Sequence, residues 1–370
     1  MFLALSWATT VLRMIVGSFN VENLFRRPKV LNNETWAEGK PILEKFSAAQ
    51  LLLEKAAYSA ADRSKIAQML AEFGLDKTDE GPFVILRRSR GQLVSRPRSG
   101  GLDVIATGRG DWIGWLELKR EAVNEIATRN TARVIADVNA DVLVVVEAED
   151  RPALQRFNND VFGTMQTKTL GKKAWTYAHT MLIDGNDDRG IDVGLFAKDG
   201  FDIGIMRSHV DDVDKKGNPI FSRDCAEFVI RTPGGNEVLF LANHFKSKGY
   251  GKASDSDARR TAQAARVADI YEQHRVAGVT NVIVAGDLND TPDSAPLKAL
   301  VRDTDLVDVS TLDNFDDGGR TGTYGTGSDK IDYLLCSPDL VNLCRRRHSS
   351  TYADTATMPI WWWAWGRRAW

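Results

Sequence analysis

The stretch Asn281–Asp290, NVIVAGDLND, ends in residues equipped for chemistry. Asp287 and Asn289 lie two residues apart, just past a short apolar run. One carboxylate and one amide at that spacing can hold a phosphate, a water or a divalent ion between them. A turn closed by an Asx hydrogen bond would use the same residues, so the case depends on recurrence. The arrangement does recur. Asn20 follows the run MIVGSF. Glu147 follows VLVVV, and a carboxylate closing a fully buried strand is costly unless it is paired or bound to a metal. His244 ends another apolar run and is followed by Lys246 and Lys248. A lone histidine is more often a satisfied core residue, but the two lysines favour a functional role. Asp192 and Asp332 stand near the starts of apolar runs. Arg189 has the fork geometry that grips a phosphate. Its plain alternative is an ion pair with Asp187 or Asp188.

The apolar runs must be the strands that position these groups. Val282–Ala285 reads as a buried strand, with Gly286 letting the chain turn. Met14–Phe19, Val142–Val146, Ala174–His179, Val193–Ala197, Asp224–Ile230, Val238–Ala242 and Ile331–Cys336 read likewise. Glu121–Ala140 is an amphipathic helix with Val123, Ile126, Val134, Ile135 and Val138 as its buried stripe. Pro152–Phe162 and Ala258–His274 are further helices. Arg26–Lys45 reads as an irregular loop. Ser47–Phe73 is helical, with Asp62 capping a second helix and Gly74 as the stop. Pro82–Val94 and Leu102–Leu118 form a hairpin or two edge strands. Arg87, Arg88, Arg90, Arg96 and Arg98 lie there beside Trp112 and Trp115, and a solvated face is favoured over a nucleic-acid surface. Asp211–Asn218 lacks the glycine and glutamate spacing of a calcium loop and reads as a polar turn. If the strands at Asp192 and Asp332 run antiparallel to the others, all six positions converge on one sheet edge. Carboxylates, amides and one histidine there make a hard-cation site facing a phosphate. Magnesium suits it, and no Cys/His cluster for zinc is present.

Composition bounds the rest. The chain has 370 residues, 43% hydrophobic and 26% charged, enough for a large globular core. A net charge of −2 gives no global basic field for nucleic acid, while leaving a local patch open. Cys225, Cys336 and Cys344 form neither a zinc motif nor a disulfide framework, which suits a reducing compartment. Met1–Leu12 is apolar but has no basic flank or small-residue cleavage site, and it is too short to span a bilayer. With Met14 directly before the first good strand, residues 1–13 are expected to be an extra segment, and the protein cytoplasmic and free of membrane. No obligate protein partner is evident.

Six stretches together resemble the endonuclease/exonuclease/phosphatase superfamily, which includes deoxyribonucleases, abasic-site endonucleases, neutral sphingomyelinases and inositol polyphosphate phosphatases. They are FNVEN at Phe19–Asn23, DVLVVVEAE at Asp141–Glu149, RGIDVGLF at Arg189–Phe196, NHFKS at Asn243–Ser247, AGDLND at Ala285–Asp290 and KIDYLL at Lys330–Leu335. They occur in the family's order. The resemblance implies an α/β fold, a four-layer α/β/β/α sandwich with two mixed, largely antiparallel sheets, over residues 14–343. Residues 26–121 are then an insertion. It also implies metal-dependent phosphoester hydrolysis, with Glu147 as the main magnesium ligand, Asn20 assisting, and manganese able to substitute. Asp287 would orient or deprotonate the attacking water. Asn289 would hold a phosphate oxygen, and His244 would stabilise charge developing on the phosphoryl oxygens. Arg189, Asp192 and Lys246 would shape the phosphate pocket.

One departure stands out. The family closes on Ser-Asp-His, whose histidine pairs with the aspartate here numbered Asp332. Residues 344–370 read CRRRHSSTYADTATMPIWWWAWGRRAW, with no such motif. An altered reading frame would explain this Trp-rich tail, and the alternative is that His348 fills the role. The leading expectation is a nuclease cleaving DNA or RNA phosphodiesters. A phosphomonoesterase or lipid phosphodiesterase of the same fold, or a catalytically impaired member, is the alternative.

Overall fold

A computed structural model describes residues 2–7, 12–24, 26–32, 36–122, 125–163, 175–187, 189–248, 252–313, 315, 322–324 and 329–345. The chain opens with β1 (Phe2–Trp7), β2 (Leu12–Leu24) and β3 (Arg26–Pro28). Helices α1 (Trp36–Leu53) and α2 (Ala60–Glu72) follow. Next come β4 (Val84–Gly91), β5 (Val94–Ser95), β6 (Asp103–Val104), β7 (Trp112–Leu118) and β8 (Arg120–Ala122). Then come α3 (Glu125–Val138), β9 (Val142–Ala148), α4 (Arg151–Arg156), β10 (His179–Ile183), β11 (Asp192–Ala197) and β12 (Asp202–Arg207). β13 (Cys225–Arg231), β14 (Glu237–His244), α5 (Ala253–Val276) and β15 (Val282–Asp287) carry the chain to α6 (Lys298–Val301). β16 (Val307–Asp308), β17 (Asp332–Cys336) and α7 (Pro338–Arg345) complete it. These elements form two units, residues 26–122 and the remainder.

The larger unit holds two sheets, β1-β2-β9-β11-β10 and β12-β13-β14-β15-β17-β16. Among the described residues only β2/β9 and β14/β15 pair in parallel. Period-two alternation divides each central strand between two cores. Val142, Val144 and Val146 of β9 join Val16, Phe228, Phe240, Ile283 and Ala285 in a core between the sheets. The alternate residues Leu143 and Val145 meet Ala132 and Ile135 of α3 and Leu154 of α4. On the other sheet, Val282 and Val284 pack on Ala264, Val267, Ile270 and Tyr271 of α5. The layers therefore run helix, sheet, sheet, helix. Each fully buried aliphatic side chain stabilises this arrangement by about 1.5–3 kcal/mol relative to exposure.

In the smaller unit β4 pairs with β7, β5 with β6, and β3 with β8, all antiparallel. One face of the β4/β7 hairpin buries Val84, Leu86, Trp112 and Leu116, while Trp115 on the other is exposed. Arg87 forks onto Glu117 at 2.8 and 3.2 Å, as on a solvated hairpin face.

Several elements depart from the sequence reading. Residues 36–45 are helical, not loop. Gly39 and Pro41 look like breakers, but Leu43, Phe46, Ala49 and Leu53 recur at helical spacing and are buried. The α2 cap is Ser59, whose Oγ accepts from Asp62 N at 3.1 Å while Ser59 N donates to the Asp62 carboxylate at 3.0 Å. Asp62 is thus the third-position partner of a capping box and not the cap itself. Gly286 lies inside β15 and makes no turn. At φ 133° its Cα hydrogen faces Asn243 O, where a Cβ would stand at 1.9 Å, so only glycine fits. β10 begins at His179, where the expected strand ended. β1 precedes the expected first strand and pairs with β2. Val123, Asp188, His348 and the rest of 346–370 lie outside the described residues, as does the Ile126 side chain. Cys225 and Cys336 are buried. Among the described residues, no helix is long and apolar enough to cross a membrane.

Candidate active site

Strand register assembles the site in two rows. His244 pairs with Asp287 across β14/β15, and Asp287 pairs with Asp332 across β15/β17. In the other sheet Asn20 pairs with Val146. Asp192 pairs with Ala148 and Val193 with Val146, which leaves Glu147 as the extra residue of a bulge. A bulge re-aims the side chain it carries. The rows face each other: Asn20 Nδ2 donates to Asp287 Oδ2 at 3.4 Å, and His244 Nε2 lies 3.7 Å from Glu147 Oε1. The expectation of a single sheet edge is thus corrected. β2 and β9 belong to one sheet and β14, β15 and β17 to another, and the site forms where the two meet.

Backbone strain marks the same place. Among the described residues three non-glycines have positive φ, and two of them are Glu147 (67°) and Asn289 (53°). Such conformations typically cost about 1–3 kcal/mol and persist where surrounding structure enforces them. Asn289 N donates to Asp287 Oδ1 at 2.8 Å, and Asn289 Nδ2 to Phe245 O at 3.2 Å. Asp287 is therefore held at both oxygens, by Asn289 and by Asn20.

The electrostatics follow from burial. Burial raises the Asp287 carboxyl well above its usual range, and Asp332 and Glu147 add to that. Burial likewise raises Asp332. Burial, then Arg223, hold the His244 imidazole well below its usual range, and its Nδ1 has no partner among the described residues. His244 is accordingly a neutral imidazole at pH 7.

A cationic side adjoins these groups. Arg223, only 2% exposed, donates from Nη1 to Phe245 O at 3.0 Å and sets Nε 3.0 Å from Asp187 Oδ2. Arg189 forks onto Asp187 at 2.8 and 2.6 Å, the ion pair that its sequence left open. Burial alone would raise Asp187, but Arg223 and Arg189 hold it far below the usual carboxylate range. Asp192 Oδ1 accepts from Gly185 N at 2.9 Å and so pins the loop that carries Asp187 and Arg189. Its Oδ2 has no partner among the described residues, and burial pushes its carboxyl up to about 8. Lys246 is half-buried; burial, Arg223 and Arg189 bring its ammonium down to about 7.

Sequence reasoning missed Arg223 and the Lys330–Asp308 pair. Lys330 Nζ is 3.0 Å from Asp308 Oδ2, donates to Asp332 O at 2.9 Å, and sits 3.6 Å from the Tyr333 ring centroid. A charged residue two positions before a largely apolar strand was the available signal, at Arg223 before β13 and at Lys330 before β17.

The groups present fit a hard divalent cation. The donors are carboxylate and amide oxygens, and the carboxyls of Asp287 and Asp332 are raised where negative charge gathers in a dry place. Among the described residues no three His, Cys, Asp or Glu are spaced to cage a metal ion. A cation here would keep several waters, as magnesium does.

The sequence profile of the Endonuclease/Exonuclease/phosphatase family matches residues 108–315, more than half of the chain. The chain belongs to this family. Members of the family are hydrolytic phosphoesterases. Similar solved structures include an endonuclease/exonuclease/phosphatase family protein from Bacteroides thetaiotaomicron, 20% identical with TM-score 0.43, covering 57% of this chain and 72% of that one. A mannosyl-6-phosphatase of the same organism is 20% identical with TM-score 0.41, covering 57% and 76%. A sphingomyelinase C from Streptomyces griseocarneus is 19% identical with TM-score 0.39, covering 57% and 77%. No curated protein matches the chain.

Proposed function

We propose that this family member is a metal-dependent phosphodiesterase, most simply a nuclease acting on DNA or RNA by in-line attack of water. The observation that carries the reading is the meeting of two rows, Asn20–Glu147–Asp192 and His244–Asp287–Asp332, at contacts of 3.4 and 3.7 Å. Glu147, assisted by Asn20, would hold magnesium or manganese, which supplies charge neutralisation and polarises a phosphoryl oxygen. The chain's own residues do the rest. Asp287, fixed at both oxygens, orients the attacking water and accepts its proton. His244 faces the developing phosphoryl charge as a hydrogen-bond donor already in place. Lys246, Arg189 and Asn289 surround the phosphate, and Asp192 sets the loop that carries Arg189.

Plasmid DNA and bis-p-nitrophenyl phosphate should both be hydrolysed with Mg²⁺ or Mn²⁺ and spared with EDTA. Glu147→Ala and Asp287→Ala should each lower the rate by about 10²–10⁴-fold. Cleavage that ignores EDTA and survives both substitutions would sink the reading. Binding that weakens steeply with salt points to polynucleotide, whereas a small phosphoester responds much less. A second reading is favoured by residues 344–370, which lack the family's Ser-Asp-His: a catalytically impaired member. Folded protein no faster than its Glu147→Ala variant would support it, as would activity gained on restoring that motif.

A further inference from the structure

The peptide units on either side of the Lys246 Cα are gripped from several directions. Phe245 N donates to Asp287 O at 2.9 Å. Phe245 O accepts from Arg223 Nη1 and from Asn289 Nδ2. Lys246 N donates to Gln263 Oε1 at 2.9 Å, and Lys246 O accepts from Arg260 Nη1 at 3.0 Å. Gln263 and Arg260 are three residues apart on α5, so they share a face. They are 0% and 1% exposed, polar groups set into a helix face that otherwise buries Ala264 and Val267. Gln263 Nε2 also reaches Ser222 Oγ at 3.4 Å, next to Arg223. Arg260 Nε donates to Asp290 Oδ2 at 3.0 Å, and its Nη2 bonds Asp257. Asp290 is the neighbour of Asn289. One helix face thereby ties the strand end bearing His244 and Lys246 to the loop bearing Asn289.

The structure assigns Gln263 and Arg260 as positioning residues that fix the Lys246 side chain for a phosphate oxygen of the substrate. The inference rests on the reading of Lys246 as a phosphate contact given above. Neither residue touches the reacting atoms. Each completes a backbone hydrogen bond of the residue it positions, and a buried polar group left unpaired carries its full desolvation cost. A small misplacement of a positioned group is also amplified in the reaction.

The test uses the full chain with Mg²⁺. It reads KM and kcat on bis-p-nitrophenyl phosphate and, independently of turnover, the Kd of inorganic phosphate by calorimetry. Gln263→Met keeps the volume and removes the acceptor. It should raise KM and Kd by about 3–10-fold, the worth of one hydrogen bond, with kcat within about twofold. Gln263→Glu keeps an acceptor and should recover most of the loss. Arg260→Lys should move the same quantities in the same direction. With Lys246→Ala as background, Gln263→Met should add nothing further, because the group it positions is gone. Additive losses in the double variant, or a lowered Tm with KM and Kd unchanged, would overturn the positioning role. Lys246→Ala with unaltered KM and Kd would instead overturn the reading of Lys246 as a phosphate contact, and the inference with it.

Discussion

A glutamate held at φ 67° stores strain that a glycine in its place would release. Glu147→Gly and Glu147→Ala should both lower metal-dependent turnover by about 10²–10⁴-fold, yet they should differ in stability. The glycine variant is expected to melt about 2–4 °C above the alanine variant, the worth of roughly 1 kcal/mol in a domain of this size. Equal melting temperatures by calorimetry would contradict the strain account. Lys246 gives a pH prediction. Its ammonium, lowered to about 7 by burial and by Arg223, Arg189 and Arg259 against the opposing pull of Asp187, is charged below that pH and neutral above it. Affinity for an anionic ester should fall as pH rises through about 7, and a KM flat from about pH 6 to 8.5 would rule this out. At this scale much of the site was legible. Asn20, Glu147, His244 and Asp287 each close an apolar run, and a polar group in that place needs a reason. The bulge at Glu147 and the left-handed backbone at Asn289 were not legible, because tertiary packing imposes both and no local composition announces them. The ion pair of Arg189 with Asp187 was legible only as one of two alternatives.

Elements carry two further predictions. Gly286→Ala would drive a Cβ into Asn243 O and push β14 from β15, the pair that sets His244 beside Asp287. The expected cost is on the order of 3 kcal/mol or more, with activity lost, as read by denaturant midpoint and turnover. Wild-type stability would refute the close-approach argument. The second concerns β13, α5 and the loop after β12. His209 Nδ1 is 2.9 Å from Asp212 Oδ2, and its Nε2 is 2.9 Å from Glu227 Oε1. His274 of α5 reaches Glu227 Oε1 at 3.1 Å, Arg207 reaches Glu227 Oε2 at 3.1 Å, and Arg266 reaches Asp212 at 2.7 Å. Burial lowers His209, but Glu227 and Asp212 outweigh it and its pKa is raised. Burial raises Glu227, but His209 and His274 outweigh it and its pKa is lowered. The His209 contribution is therefore complete below the unfolded value of about 6.5 and is lost as pH rises through the folded value. The Glu227 contribution is complete above about 4.3 and is lost as pH falls through its folded value. His209→Gln should thus lower Tm more at about pH 6 than at pH 8.5, and an equal drop at both would contradict the linkage. At this scale the apolar runs marked the central strands β2, β9, β11, β14, β15 and β17, but not β1 or β12, and β10 begins where its expected strand ended. The first half of α1 was missed because Gly39 and Pro41 outweigh local propensity in any reading without tertiary contacts.

Over the whole molecule, strand order is information between distant residues, and no local pattern shows that Asn20 and Asp287 come from different sheets. The span 26–122 is a different case, since its two ends pair as β3 and β8. Replacing it with a short flexible linker should leave hydrolysis of bis-p-nitrophenyl phosphate within about tenfold, because every residue assigned a catalytic or phosphate-binding role lies outside it. A protein that no longer folds, by circular dichroism, would show instead that the larger unit depends on it.

The β3/β8 pairing also bears on how the chain finds its fold. Val16 must meet Val142 to start the parallel β2/β9 ladder, a long search along the backbone. Once residues 26–122 have closed on themselves, the paired ends shorten that loop several-fold. At about 0.6 kcal/mol of closure entropy per doubling of loop length, the closed neck removes on the order of 1 kcal/mol from the barrier. A segment that lengthens the sequence thus leaves the topological distance between the two central strands almost as short as if it were absent.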